Sequence, residues 1–376
     1  MIDQILKFFK KEYYTLNLIE LSKTNLINNY HYLSSLNENI KVAPVLKSNA
    51  YGHGVVQVAQ ILDPQNAPFF CVDSLYEAYE LYKAKIKTPI LVMGYTDPIN
   101  FKVKKLPFSF AVYDLQTLEI LNKYQSGTKI HLKIDTGMHR LGIPLSNLPK
   151  FLSQLKKFSN FKVEGVMSHL ASAKGKDDKP FQNQIKNFGK AVEIIKEAGF
   201  NPAWIHLPAS EAILNSQIQQ QIFQVSNMAR VGLALYGISE QNLKLKPVLN
   251  LTTTIAQIKK LTKGISVGYD GTYQTSRETI LGVLPIGYFD GVDRRLSNLG
   301  VVQVNSINCP IIGQVSMNIT TIDLSKIKNP KLGQKAVIFS NNCKDKNSIK
   351  NSATLCQTIP YDVLVHLSST TKRIIV

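Results

Sequence analysis

The sequence has no apolar run approaching the roughly 18 residues that a membrane-spanning helix needs. Cysteine is sparse: Cys71, Cys309, Cys343 and Cys356 show neither CxxC pairing nor metal-ligand spacing. That favours reduced thiols in a cytosol over a disulfide framework or a metal site. HExxH, a P-loop and a dinucleotide fingerprint are missing, which excludes three common ways of holding zinc or nucleotide phosphate. Acidic residues are few, 26 against 44 Lys and Arg, giving a net charge of +18. The lysines are scattered, however, with no arginine-rich helix and no basic-aromatic cluster, so no nucleic-acid partner is expected. The surplus reads as compositional background that attracts anions only loosely. Residues 1–14 carry Phe8 and Phe9 beside Lys7, Lys10 and Lys11, without a sustained apolar core or a small-residue cleavage site. They read as a packed or frayed terminus and not as a signal peptide, so a cytoplasmic protein without membrane contact is expected.

What is present is a chain of 376 residues, 44% hydrophobic and 19% charged, enough for one large globular domain and a smaller one. Short apolar runs recur at Val42–Leu46, Pro68–Val72, Ile90–Gly94, Phe108–Tyr113, Ile130–Ile134, Val163–Ser168, Ala203–Leu207 and Met228–Leu233. The intervals hold helices; the stripe Ile185, Phe188, Val192, Ile195 ending near Gly199 is the plainest. Eight strands alternating with helices point to a parallel (β/α)8 barrel of the TIM type, whose functional residues collect at the C-terminal strand ends. Near Lys246-Pro247 the rhythm changes to strand-like runs, Leu249–Ile258, Thr279–Leu284, Val301–Val304, Ile311–Val315 and Ala336–Phe339, with a short helix within Leu355–Leu367. The expectation is α/β: a barrel over residues 15–246 and a mostly antiparallel β domain over 247–376, with residues 1–14 a candidate to pack on the latter.

Chemistry-bearing residues stand at the ends of the barrel runs. Lys47 follows the first, Asp135 to Arg140 the fifth, His169 the sixth, Ser210 the seventh, and Arg230 lies in the eighth. A strand that delivers one amine to a small, glycine-rich loop is suited to a Schiff base, because the strand fixes the amine and the loop leaves room for a cofactor. Taken alone, a lysine there is more often solvated, and a lone histidine at a strand end is more often a satisfied core residue.

The residue strings carry further. Lys47-Ser48-Asn49-Ala50-Tyr51-Gly52-His53-Gly54 closely resembles the cofactor-lysine motif of bacterial, pyridoxal-phosphate-dependent alanine racemases, with Ser48 in place of the usual alanine. Lys133-Ile134-Asp135-Thr136-Gly137-Met138-His139-Arg140-Leu141-Gly142 resembles the family's second signature, with His139 where some members have glycine. Asn227 to Gly237, Val267 to Tyr273, Leu284 to Gly291, Gly313 to Asn318 and Ile359 to Asp362 resemble further segments, in the family's order. Asn318 stands where aspartate is common.

The resemblance implies pyridoxal 5'-phosphate carried by Lys47. Its phosphate would be held by Tyr51, Ser210, Tyr361 and the Gly232 and Leu233 backbone. Arg230 would donate to the pyridine nitrogen, and Arg140 would contact the phenolic oxygen and, with Met317, the substrate. Lys133 would be carbamylated and hold Arg140. His169 would adjoin the catalytic tyrosine, His206 would adjoin Arg230, and Tyr288 would line the entrance. The implied reaction interconverts L- and D-alanine, supplying D-alanine for peptidoglycan, with Lys47 serving one face of the α-carbon and Tyr269 the other. In the family that tyrosine comes from the neighbouring subunit, which implies a homodimer with composite sites. The alternatives are a broad-specificity or serine racemase of the same fold and a barrel-type amino-acid decarboxylase.

Overall fold

The computed structural model describes residues 14–241 and 244–376. In chain order the strands are β1 (Leu18–Leu21), β2 (Lys41–Pro44), β3 (Phe70–Val72), β4 (Ile90–Val92), β5 (Ser109–Val112), β6 (Thr128–Asp135), β7 (Ile143–Pro144), β8 (Phe161–Met167), β9 (Trp204–His206) and β10 (Met228–Val231). They continue as β11 (Leu249–Thr254), β12 (Gln257–Leu261), β13 (Ser266–Val267), β14 (Tyr273–Gln274), β15 (Thr279–Leu284), β16 (Val301–Val304), β17 (Ile307–Pro310), β18 (Thr320–Asp323), β19 (Lys335–Phe339) and β20 (Lys372–Ile375).

Strands β3, β4, β5, β6, β8 and β9 lie side by side and parallel, and β10 pairs parallel with β2. A parallel bridge from Val45 to Cys71, with Leu46 N donating to Cys71 O at 2.8 Å, joins β2 to β3. Asn227 N donates to Ile205 O at 2.9 Å and Arg230 N to Pro208 O at 3.0 Å, which joins β10 to β9. The ring thus closes as a (β/α)8 barrel, and each expected apolar run overlaps one of its strands. Strands β3, β4, β5 and β10 are buried at every position, as parallel strands covered by helices must be. Local chemistry sets the helices that follow. Ser74 and Glu77 form a reciprocal capping box at the start of Leu75–Lys83, and Asp114 caps Leu115–Tyr124 through Thr117 N. The long helix Lys179–Glu197 buries Phe188, Val192 and Ile195, the stripe expected of it.

The chain divides into two compact units, Lys23–Val248 and a second that joins Leu249–Val376 to the segment ending at Ser22. In the second unit one sheet runs β17-β16-β19-β11-β1-β20 and another β12-β15-β18, antiparallel except where β1 lies parallel to β20. The expected barrel domain begins at residue 15, whereas β1 is a strand of the β domain, held between β11 and β20. Four residues long, it gives no sign in sequence of which sheet takes it. The packing expectation for residues 1–14 falls outside the described residues except for Tyr14, which is exposed. Two runs differ in detail. Leu249–Ile258 breaks at Ile255-Ala256 into β11 and β12, and Ile311–Val315 leaves the ladder because Gly313 sits at φ +78°. Ile312 packs instead with Val267 and Leu281.

Candidate active site

Beyond β2 the chain buries Val45 and Leu46, then presents Lys47 half-exposed. The next residues form a left-handed turn: Ser48, Asn49, Ala50 and Tyr51 have φ of 56°, 53°, 53° and 52°. An L-residue pays about 1–2 kcal/mol there, so four in a row need outside support. Glu77 supplies it, its carboxylate accepting from Asn49 N at 3.0 Å, Asp73 N at 3.0 Å and Ser74 N at 3.4 Å. Asn49 adds a clasp by accepting from Val55 N through Oδ1 at 2.8 Å and from Gly54 N through its carbonyl at 2.9 Å.

The turn brings Tyr51 against Gly232. A Cβ built on Gly232 would collide with the Tyr51 hydroxyl and ring. Ser210 Oγ accepts from Gly232 N at 3.1 Å and Ala234 N at 3.3 Å, which fixes the start of the turn Leu233–Tyr236. A hydroxyl, a phenol and the leading N–H groups of a helical turn in one place form a cradle suited to a phosphate. Tyr236 packs behind Tyr51 at a ring separation of 5.3 Å and donates to Val45 O at 2.9 Å.

Arg230, on β10, is buried. Its Nη1 donates to His206 Nδ1 at 2.8 Å and to His206 O, and its Nη2 donates to Ser168 O and, at 3.3 Å, to Leu207 O. All four Nη hydrogens are thereby engaged, and Nε is the guanidinium donor without an acceptor among the described residues. Burial lowers the Arg230 pKa to about 10, so it remains a cation at neutral pH. An N–H donor of permanent charge matches the unprotonated nitrogen of a pyridine ring.

Lys133, at the end of β6, has its pKa pulled down to about 8 by burial, then by Arg230 and Arg140, with Asp73 opposing. Its Nζ approaches Met93 O at 3.4 Å. His169 is held at about 3 by burial, with Arg230, Arg140, Lys47 and Lys133 all disfavouring a further proton. The barrel site therefore concentrates cations around a neutral imidazole, an arrangement that favours an anionic ligand. His139, which resembles a glycine position, has φ +55°, and its backbone N–H donates to Asp135 Oδ1 at 3.0 Å.

The remaining expected residues lie in the β domain. Tyr269 is 67% exposed on the turn Tyr269–Gly271. The next residue, Asp270, accepts from Gln314 Nε2 at 3.0 Å. Tyr288 N donates to Ser316 O and Phe289 N to Met317 O, each at 3.0 Å, which sets the Tyr288 and Met317 loops side by side. Tyr361 is the second residue of the helix Pro360–Val365, and Tyr288, Met317 and Tyr361 are all exposed. The barrel unit thus gathers Lys47, Tyr51, Lys133, Arg140, His169, His206, Ser210, Arg230, Gly232 and Leu233, and the β domain presents Tyr269, Tyr288, Met317 and Tyr361 on its surface.

Sequence reasoning passed over His131 and Glu164. His131 Nδ1 lies 2.8 Å from His206 Nε2, and both rings are fully buried. His131 stands two residues before Lys133 on the same strand, and a charged Glu164 interrupts an apolar run. Those are the signals that would have found them.

The family model described as alanine racemase, N-terminal domain, matches residues 21–240, and the C-terminal domain model matches 248–375. An alanine racemase of Carboxydothermus hydrogenoformans is 33% identical over 370 residues, covering 95% of this chain and 98% of its own. One from Helicobacter pylori strain Shi470 is 32% identical, covering 95% and 98%. Among solved structures, alanine racemase of Clostridium difficile 630 superposes with a TM-score of 0.89 at 27% identity, covering 97% of each chain. The Bacillus anthracis enzyme with bound L-Ala-P gives 0.87 at 31% identity, covering 97% and 96%.

Proposed function

The chain belongs to the alanine racemase family, and from that premise we propose that it interconverts L- and D-alanine with pyridoxal 5'-phosphate, supplying D-alanine for peptidoglycan in the cytoplasm. The observation that supports this best is the pairing of Arg230, whose Nε is left as a donor, with the cradle built by Tyr51, Ser210 and Gly232. The residues fit the cofactor. Lys47 would hold it covalently, with Tyr51, Ser210, Gly232, Leu233 and Tyr361 on its phosphate, Arg140 on its phenolic oxygen and Arg230 on its ring nitrogen. When bound, pyridoxal phosphate supplies a conjugated system that withdraws electrons and acidifies the substrate's α-proton.

The protein's part is to move that proton between faces. A single base would return the proton to the side it left, so inversion needs two groups. Lys47 Nζ handles one face and the Tyr269 hydroxyl the other. Arg230 donates without giving up its proton, so the ring is a weaker electron sink than one facing a carboxylate, which suits racemisation over transamination. Arg140 and Met317 position the substrate, and Tyr288 lines the entrance. The exposure of Tyr269, Tyr288, Met317 and Tyr361 supports a homodimer in which a second copy completes each site.

The test is racemisation of L-alanine, within a panel that includes L-serine and basic amino acids. Lys47→Ala is expected to lose covalently held cofactor and all activity. Tyr269→Phe is expected to keep the cofactor and lose most racemisation. A Tyr269→Phe enzyme that racemises at the parent rate would remove Tyr269 from the mechanism.

A further inference from the structure

Proton counting extends the Arg230 network beyond the site. A guanidinium can only donate, so His206 Nδ1 accepts from Arg230 Nη1, and the neutral His206 ring carries its hydrogen on Nε2. That Nε2 faces His131 Nδ1 at 2.8 Å, so Nδ1 accepts in turn and the His131 hydrogen sits on Nε2. The buried His131 Nε2 makes no hydrogen bond among the described residues, and the carboxylate oxygen that faces it, Glu164 Oε2, lies 3.5 Å away, an electrostatic contact. Glu164 also accepts from Ser109 Oγ at 3.3 Å and pairs with Lys129 Nζ at 2.8 Å, where the row reaches solvent. The groups facing the two imidazoles are Arg230 at one end and Glu164 with Lys129 at the other. A proton added to either ring would set two donors against each other, so the row persists only while both are neutral. The space is made for it: a Cβ on Gly165 would strike the His131 ring, and Phe69 packs edge-on against that ring at 5.3 Å.

We propose that His131 and Glu164 are positioning residues for Arg230, acting through His206. A one-directional row of two hydrogen bonds, facing the Glu164 carboxylate across 3.5 Å at its far end, keeps Nη1 engaged and leaves Nε as the donor for the cofactor. Arg230 is a buried cation whose own Nη partners, three carbonyls and an imidazole, are all uncharged, and the row links it to an anion three residues away along the relay. The inference rests on the reading of Arg230 as the ring-nitrogen donor.

The test uses the full chain as purified, 15N-labelled, with imidazole nitrogens observed by long-range proton–nitrogen NMR and assigned through His131→Gln and His206→Gln. Both rings are expected to be neutral with hydrogen on Nε2, at pH 7 and at pH 5.5. Glu164→Leu is expected to abolish the single His131 tautomer and to weaken pyridoxal phosphate binding about tenfold, as loss of a buried acceptor does. Glu164→Gln keeps an acceptor and is expected to restore both. An Nδ1-protonated or cationic ring at pH 7 overturns the proposal, as does a Glu164→Leu protein with parental tautomers and affinity. The parental tautomers decide the direction of the row even if the leucine variant does not fold. Failure of the parent to bind pyridoxal phosphate would instead overturn the cofactor reading, a separate outcome from a wrong tautomer.

Discussion

The Tyr51 hydroxyl lies where a side chain on Gly232 would begin, and Ser210 Oγ accepts from the N–H of the same glycine. Two elements far apart in sequence therefore share one surface. Gly232→Ala must push Tyr51 out of the cradle. Its affinity for pyridoxal phosphate, measured by absorbance titration, is expected to fall at least about tenfold, or ~1.4 kcal/mol, with thermal stability little changed.

Glu77 holds the left-handed turn through three backbone N–H groups. Glu77→Ala leaves those donors without the carboxylate and also removes the capping box of Leu75–Lys83. A loss of about 2–3 kcal/mol in urea unfolding is expected, with a larger fractional loss of Lys47-bound cofactor than of folded protein.

His131 and His206 are both held below the ordinary imidazole range, by burial first, with Glu164 opposing at His131 and Arg230 adding to the lowering of each. Their unfolded counterparts take up protons below pH ~6.5, whereas the folded rings do not. Stability is therefore complete above that value and declines as the pH drops below it, by up to about 1.4 kcal/mol per pH unit for each ring. Denaturant midpoints measured from pH 7.5 to 5 are expected to show this slope, and His131→Phe is expected to flatten it.

Lys133, at about 8, keeps a larger neutral fraction at pH 7 than an ordinary lysine, and only the neutral amine adds carbon dioxide. Its conversion to a carbamate would turn repulsion from Arg140 and Arg230 into attraction. Activity is expected to rise with bicarbonate and fall on rigorous degassing in the parent, and to be insensitive to both in Lys133→Ala.

His139 occupies left-handed backbone space as a non-glycine residue and makes an exposed contact to Asp135 Oδ2 at 3.2 Å. The exposed pair contributes little, and the backbone penalty dominates. His139→Gly is expected to raise stability by up to about 1 kcal/mol in denaturant titration without loss of cofactor binding.

The barrel was legible because its strands are short, largely buried and spaced by helix-length intervals, so each apolar run from Val42 to Leu233 overlaps one. Lys47, His169 and Ser210 stood out for the same reason, being polar residues just past the ends of those runs, and Arg230 as a charge inside one. The row through His131 and Glu164 was not legible, since it depends on which strands become neighbours and on the register shift between Ile130 and His131 where β6 meets β8. The left-handed turn was equally hidden. Of its residues only Asn49 is of a type that tolerates such backbone, and the support comes from Glu77, 28 positions away from Asn49. Strand β1 escaped assignment because its partners lie at the opposite end of the chain.

Four consecutive L-residues wound against their natural hand do not hold that shape in an isolated peptide. Lys47 is consequently displayed in its working pose only after the helix carrying Glu77 has docked beside β2 and β3. On the proposed reading, a nascent or half-unfolded chain would offer a free aldehyde nothing better than an ordinary solvated lysine, so capture of the coenzyme would itself report that the barrel has been completed.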